Sequence, residues 1–205
     1  MGGSAAGNVV RVRVDVSDEV ANEIESLAAG EPPLATRDSV PVHKDDYTRL
    51  LGGHAPVTAT SSVTYLLPSG LAYGHDVAVV SSGTDEAREL LARLEAEGMP
   101  PPMVELGFLD LSHLWPPWCA ALDNGAVVSV AFTARLSSDG AEVGVATATR
   151  YRGRGLATAT TAAWTALPAL GGRIRFYSTE VGNAPSRRVA ERLQLPLLGA
   201  EFAIA

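Results

Sequence analysis

Between Ala141 and Leu167 a strand pattern, a loop of alternating arginine and glycine, and an unbroken helical run follow one another directly. This succession constrains the fold more than any other feature of the chain. Ala141–Thr147 reads as a strand, and a helix is expected from about Gly155 to Leu167. A strand feeding a helix through so short a loop belongs to an α/β chain. Helix N-termini present unpaired N–H groups and the positive end of the helix dipole, so they hold phosphates. Gly153 and Gly155 lack the Cβ that would keep a phosphate from the backbone. Arg150, Arg152 and Arg154 add positive charge. A solvated basic turn with a glycine-rich cap accounts for the same residues equally well. Two other phosphate loops are excluded: Gly-Lys-Ser/Thr is absent, and so is an early βαβ unit with three correctly spaced glycines.

Those three arginines stand out because the chain is acidic, with a net charge of −7. Residues 1–100 hold 7 basic and 15 acidic groups, and residues 101–205 hold 9 and 8. Such a balance argues against a general nucleic-acid binder and leaves room for a local anion site in the second half. With 205 residues, 46% hydrophobic and 19% charged, the chain can bury a core as one domain or one domain plus a small module. Cys119 is the single cysteine, which excludes an intramolecular disulfide and a cysteine metal cluster, so no metal is expected. A reducing cytoplasm is the expected compartment. Gly155–Gly172 is too rich in threonine, and too broken by Pro168 and Gly171-Gly172, to span a membrane. Met1–Gly7 has neither the basic nor the apolar region of a signal peptide and reads as an unstructured leader.

Along the rest of the chain, Val9–Val16 alternates like a half-buried strand, and Ser17 caps a helix carrying Val20, Ile24, Leu27 and Ala28. A short helix is expected around Lys44–Leu51. Ser62–Leu67 and Asp76–Val80 read as strands flanking a Pro68-Ser69-Gly70 turn. Thr84 caps a helix with Ala87, Leu90, Leu91 and Leu94 on one face, ended by Gly98 and Pro100–Pro102. That triple proline is taken as the boundary between an N-terminal α/β extension, 1–100, and a second domain, 101–205. Trp118–Leu122 and Ala126–Arg135 form a hairpin around Asp123-Asn124-Gly125. Arg173–Thr179 is a further strand, Pro185 opens a helix reaching Gln194, and Leu197–Ala205 closes the fold.

Arg152-Gly153-Arg154-Gly155-Leu156-Ala157 resembles motif A of the GCN5-related N-acetyltransferases, Gln/Arg-x-x-Gly-x-Gly/Ala, matched at Arg152, Gly155 and Ala157. Asn183-Ala184-Pro185-Ser186 resembles the family's Asn-x-x-Ser/Ala signature. The resemblance covers roughly residues 100–205 in the family's element order. It implies a mixed, mostly antiparallel central sheet flanked by helices, with acetyl-CoA as cosubstrate at its splayed strands. In that register the backbone of Val145, Ala146 and Thr147 meets the pantetheine arm. The pyrophosphate rests on Gly153, Arg154, Gly155, Leu156, Ala157 and Thr158, with Arg152 a further cofactor-binding residue, and Asn183 and Ser186 approach the cofactor. Asn183 also reads as a helix cap, and Ser186 equally as a packing residue.

The reaction implied is attack of an amine, from a small molecule, peptide or protein, on the thioester of acetyl-CoA. A homodimer fits this reading, and neither nucleic acid nor membrane enters it. The amine must lose a proton, and the thioester oxygen needs a donor, the N–H of Val145 by this register. The family's acid, a Tyr seven residues after the Asn, is replaced here by Ala190. Tyr177 and Ser178 are the substitutes, although a strand Tyr more often belongs to a core. Glu142 is the candidate base, but the family's Glu aligns with Ala141, so Glu142 can face the other way. Glu105 and Asp110 read as capping or solvated carboxylates before they read as bases, and His113 as a packed histidine. Cys119 has no nucleophile's neighbourhood. The missing Tyr keeps a second reading open, a non-catalytic acyl-CoA-binding or sensing module. Residues 1–100 are either a degenerate second copy of the fold or a lid, and their acidity suits a cationic acceptor or, equally, a plain acidic surface.

Overall fold

A computed structural model of the chain describes residues 1–53 and 56–205. The fold is α/β, with a mixed, mostly antiparallel sheet flanked by helices, as expected. Its elements are β1 (Gly2–Ser4), β2 (Gly7–Val9), α1 (Asp18–Ala28), α2 (Lys44–Gly52), β3 (Ala59–Leu67), β4 (Ala78–Ser81), α3 (Asp85–Glu97) and α4 (Pro101–Val104). There follow β5 (Cys119–Asp123), β6 (Ala126–Leu136), β7 (Gly140–Thr147), α5 (Leu156–Thr165), β8 (Ile174–Glu180), α6 (Ala184–Arg192) and β9 (Leu197–Ile204). The chain falls into two compact units. Met1–Tyr65, Ser178–Arg187 and Pro196–Ala205 make the first, Leu66–Tyr177 and Arg188–Leu195 the second. The triple proline lies inside the second unit, where it opens α4. Among the described residues no helix is long and apolar enough to cross a membrane.

In the first unit β9 lies between β3 and β1, antiparallel to both, from Ala59 opposite Ile204 to Tyr65 opposite Leu197. Met1–Gly7 is not an unstructured leader: Gly2–Ser4 pairs with Gly7–Val9, and the N-terminal amine donates to the Phe202 carbonyl at 2.7 Å. The strand expected over Val9–Val16 ends at its first residue. Its alternation holds at Val10 and Val12, which pack against the cluster of Ile24, Tyr47 and Phe202, but fails at Val14, which is fully exposed. Among the described residues no neighbouring strand pairs with residues 10–16, which close in a turn where the Val16 N–H donates to the Arg13 carbonyl. Ser17 caps α1 as expected, accepting from the Val20 N–H. Glu31 is the unit's notable interior charge: its buried carboxylate takes the N–H groups of Val42 and His43 at 2.7 and 2.8 Å and the Tyr47 hydroxyl at 3.1 Å.

In the second unit β4, β5, β6 and β7 form an antiparallel run, and β8 joins β7 in parallel. Asn124 and Gly125, at φ 49° and 78°, make the two-residue turn between β5 and β6 that Asn-Gly predicts. The strands around Pro68-Ser69-Gly70 are not a hairpin: β3 pairs with β9 and β4 with β5. On one face Ala87, Leu90 and Leu94 of α3 pack with Met103, Phe108, Trp118 and Val130. On the other, Leu156 of α5 packs with Ala121, Val128, Ala148 and Tyr151. Helix α5 is buried almost all round, and its threonines return their hydroxyls to the helix: Thr160 to Leu156, Thr161 to Ala157 and Thr165 to Ala162.

Candidate functional site

The end of β7 and the start of α5 lie in the second unit. The Ala148 N–H donates to the Val128 carbonyl at 3.0 Å, and antiparallel partners alternate between bonded and unbonded pairs. Val130 faces Ala146 and Ala131 faces Val145. Ala146 therefore turns its backbone groups to β6, while Val145 and Thr147 turn theirs to the opposite edge. On that edge β8 pairs only with Gly140–Glu142, so β7 and β8 part after Glu142. The Thr147 carbonyl is taken by Arg152 Nε at 3.2 Å. Val145 is left presenting both an N–H and a carbonyl along the open edge.

Beyond Thr147 the chain makes one 3₁₀ turn at Thr149–Tyr151 and passes through Gly153 and Gly155, at φ 78° and 81°, into α5. Only glycine adopts this left-handed backbone without strain. The first N–H to close into the helix is that of Ala159, on the Gly155 carbonyl. Among the described residues no acceptor takes the N–H groups of residues 153–158. Nothing lies within 4 Å of the place a Cβ would take on Gly153. Arg152 is exposed; Arg150 and Arg154 stack on Tyr151 at 4.8 and 5.4 Å from its ring centre, and Arg154 pairs with Asp123 at 3.3 Å. Thr158 and Leu156 are buried and serve the packing of α5. This cradle of unused N–H groups, bare glycine backbone and arginine charge fits a diphosphate.

Two residues over this loop carry no signal in the sequence. Tyr73 and His75 lie 3.1–3.3 Å from where a Gly155 Cβ would stand, and His75 Nε2 is 2.6 Å from the Arg154 carbonyl. Glu105 is likewise engaged, its carboxylate accepting from the Thr149 N–H at 3.3 Å. That bond, with Arg152 and Arg150 nearby, holds the carboxyl below its ordinary range.

Of the candidate acid–base groups, Glu142 is half-buried and pairs with Arg135 at 3.1 Å. It shares its face of β7 with Gly144, where the Phe132 ring fills the space of a side chain. Tyr177 is buried, as a core strand Tyr would be. Asp110 and His113 form a capping box: the Asp110 carboxylate accepts from Ser112, and His113 Nδ1 accepts from the Asp110 N–H at 3.4 Å and also from the Leu109 N–H. Ala190 is buried, so no acid stands there. Burial pushes the Cys119 thiol up to about 11. Ser178, Asn183 and Ser186 belong to the first unit. There the Ser178 hydroxyl lies 3.0 Å from that of Thr64, and Asn183 Oδ1 caps α6 by accepting from the Ser186 N–H at 3.1 Å.

The family model of GNAT acetyltransferases matches residues 119–195, which bears out the resemblance drawn from the arginine–glycine motif. No curated protein matches the chain. A solved GCN5-related N-acetyltransferase-like protein from Streptococcus suis is 20% identical over 77% of this chain and 66% of its own, with a TM-score of 0.53. A functionally unknown conserved protein from Staphylococcus epidermidis is 14% identical over 91% of this chain and 76% of its own, with a TM-score of 0.52. Both have the same fold. The chain spans 61–66% of the length of the first solved structures it matches.

Proposed function

We propose that this chain, a GNAT-family protein by residues 119–195 and by its fold, transfers an acetyl group from acetyl-CoA to an amine by direct attack. One observation carries the reading: β7 opens from β8 beside a glycine-lined helix start whose N–H groups are unused. Acetyl-CoA would supply an activated carbonyl and a thiolate that leaves easily. Residues 153–158 would hold its phosphates through backbone N–H groups, with Arg150 and Arg152 adding charge. The Val145 carbonyl and N–H would pair with its extended arm, and the same N–H can donate to a carbonyl oxygen. The family resemblance also proposes Asn183 and Ser186 as cofactor contacts, and within the first unit they share a capping bond. Glu142, Tyr177 and Ser178 are the groups we propose for proton transfer, and Glu142 is the one with a titratable carboxylate.

Calorimetric titration with acetyl-CoA followed by coenzyme release on a panel of amines tests this. Saturable binding with acceptor-dependent release is expected, and absence of binding at high micromolar concentration would overturn it. Glu142→Gln is expected to remove the low-pH limb of the pH–rate profile, since that limb reports protonation of the base. An unaltered profile takes Glu142 off the list. The buried Ala190 in place of the family's Tyr favours a second reading, an acyl-CoA-binding module without turnover. Binding with no release on any amine would establish that one.

A further inference from the structure

The segment joining β3 to β4 runs along α5 from end to end within the second unit. At the helix C-terminus the N–H groups of Gly70 and Leu71 donate to the Thr165 carbonyl and hydroxyl, at 3.4 and 3.0 Å. Four residues on, His75 meets the loop that opens the same helix. A ten-residue helix is about 15 Å long, and an extended chain advances about 3.4 Å per residue. The strap Leu71–His75 is therefore nearly taut between the two ends of α5.

The His75 ring is fixed by two hydrogen bonds of opposite sense. The Val77 N–H donates to Nδ1 at 3.0 Å, so Nδ1 carries a lone pair. Nε2 then bears the proton and donates to the Arg154 carbonyl at 2.6 Å. A trans peptide is planar, and its C=O and N–H point in opposite directions. Holding the Arg154 carbonyl toward His75 therefore aims the Gly155 N–H away from the strap, on the side left free of it. Tyr73 and His75 occupy the Cβ side of Gly155, which closes that side to any other ligand.

We propose that His75 is a positioning residue for the cofactor's diphosphate: acting through the Arg154 carbonyl, it presets the Gly155 N–H as an anion donor. This rests on the acetyl-CoA reading above and adds to it a residue outside the matched family segment. A released Arg154–Gly155 peptide can rotate and turn the negative end of its carbonyl toward the phosphates. With His75 bonded, that rotation is blocked before the cofactor arrives.

Two measurements on the full chain test it. Long-range proton–nitrogen NMR of the labelled protein reads the His75 tautomer without any ligand. The neutral Nε2–H form is expected, and the Nδ1–H form would overturn the proposal. Calorimetry with coenzyme A, and separately with inorganic pyrophosphate, is then run on wild type, His75→Ala and His75→Gln. His75→Ala should weaken both ligands about tenfold, the order of one lost oriented hydrogen bond. His75→Gln, whose amide can still donate to Arg154, should recover most of the loss. The turnover number at saturating acetyl-CoA should stay at the wild-type value while KM for acetyl-CoA rises. Wild-type affinity in His75→Ala, or an equal loss in both variants, sinks the positioning role alone. Wild type that binds no coenzyme A sinks the acetyl-CoA reading, and this proposal with it.

Discussion

Cys119 sits in β5 with its sulfur 3.3 Å from the Ser81 hydroxyl, buried, and burial raises its pKa from 9.0 to about 11. A raised folded pKa means that folding favours the neutral thiol. The resulting stability is whole below pH 9 and is lost as the pH rises toward about 11. Wild type should therefore lose more stability than Cys119→Ala between pH 8.5 and pH 10.5 in urea titrations. The native thiol should also react with a disulfide reagent at pH 8 on the order of a hundredfold more slowly than the unfolded one. Rapid modification of the native protein would show that the thiol is open and ionised. Two glycines of the loop before α5 show what single positions demand. Gly153 and Gly155 share a left-handed backbone, but space is open over Gly153 whereas Tyr73 and His75 stand over Gly155. The need for glycine was legible from the motif. The neighbours that enforce it at Gly155 lie about 80 positions away along the chain and left no mark near the motif.

At the scale of elements, Glu31 anchors the segment that enters α2 rather than capping the helix itself. His43 precedes the helix without a side-chain cap, and the carboxylate of a distant loop residue takes two N–H groups and the Tyr47 hydroxyl instead. Burial, then the nearby Glu31 charge, raises the Tyr47 pKa above its ordinary value. Glu31→Ala would leave the buried Tyr47 hydroxyl and two part-buried N–H groups without their acceptor and is expected to cost about 2 kcal/mol, read from urea unfolding. Glu31→Gln keeps an acceptor and should cost less. A loss below about 0.5 kcal/mol in Glu31→Ala would mean that water replaces the carboxylate. Helices announced by a cap and a periodic face, α1 behind Ser17 and α3 behind Thr84, were readable because those signals are local. So was the Asn-Gly hairpin. Val10–Val16 misled for the opposite reason: its alternation matches burial at Val10 and Val12 but not at Val14, and a strand also needs a partner, which topology sets. The open edge of β7 followed only from the family resemblance, because where two strands part is invisible in either strand's residues.

At the scale of the whole chain, neither unit is a continuous stretch. The first takes residues from three separate segments and the second from two. Within the first unit β9 pairs with β3 and β1, which come from the first 67 residues. Within the second, β5 pairs with β4, and the cluster around Met103 and Trp118 draws Ala87, Leu90 and Leu94 from α3. A cut at the triple proline would thus strip the closing strand of both these neighbours and expose a sheet edge and an apolar face at once. Edges and faces of that kind lead to aggregation rather than folding. The fragment 101–205, expressed alone, should show no cooperative urea transition and no near-ultraviolet circular dichroism, although it holds all of the matched family segment. A sigmoidal transition with native-like aromatic signals in that fragment would make residues 1–100 an independent extension. Its failure to fold would mean that they complete the sheet on which the proposed cofactor edge depends.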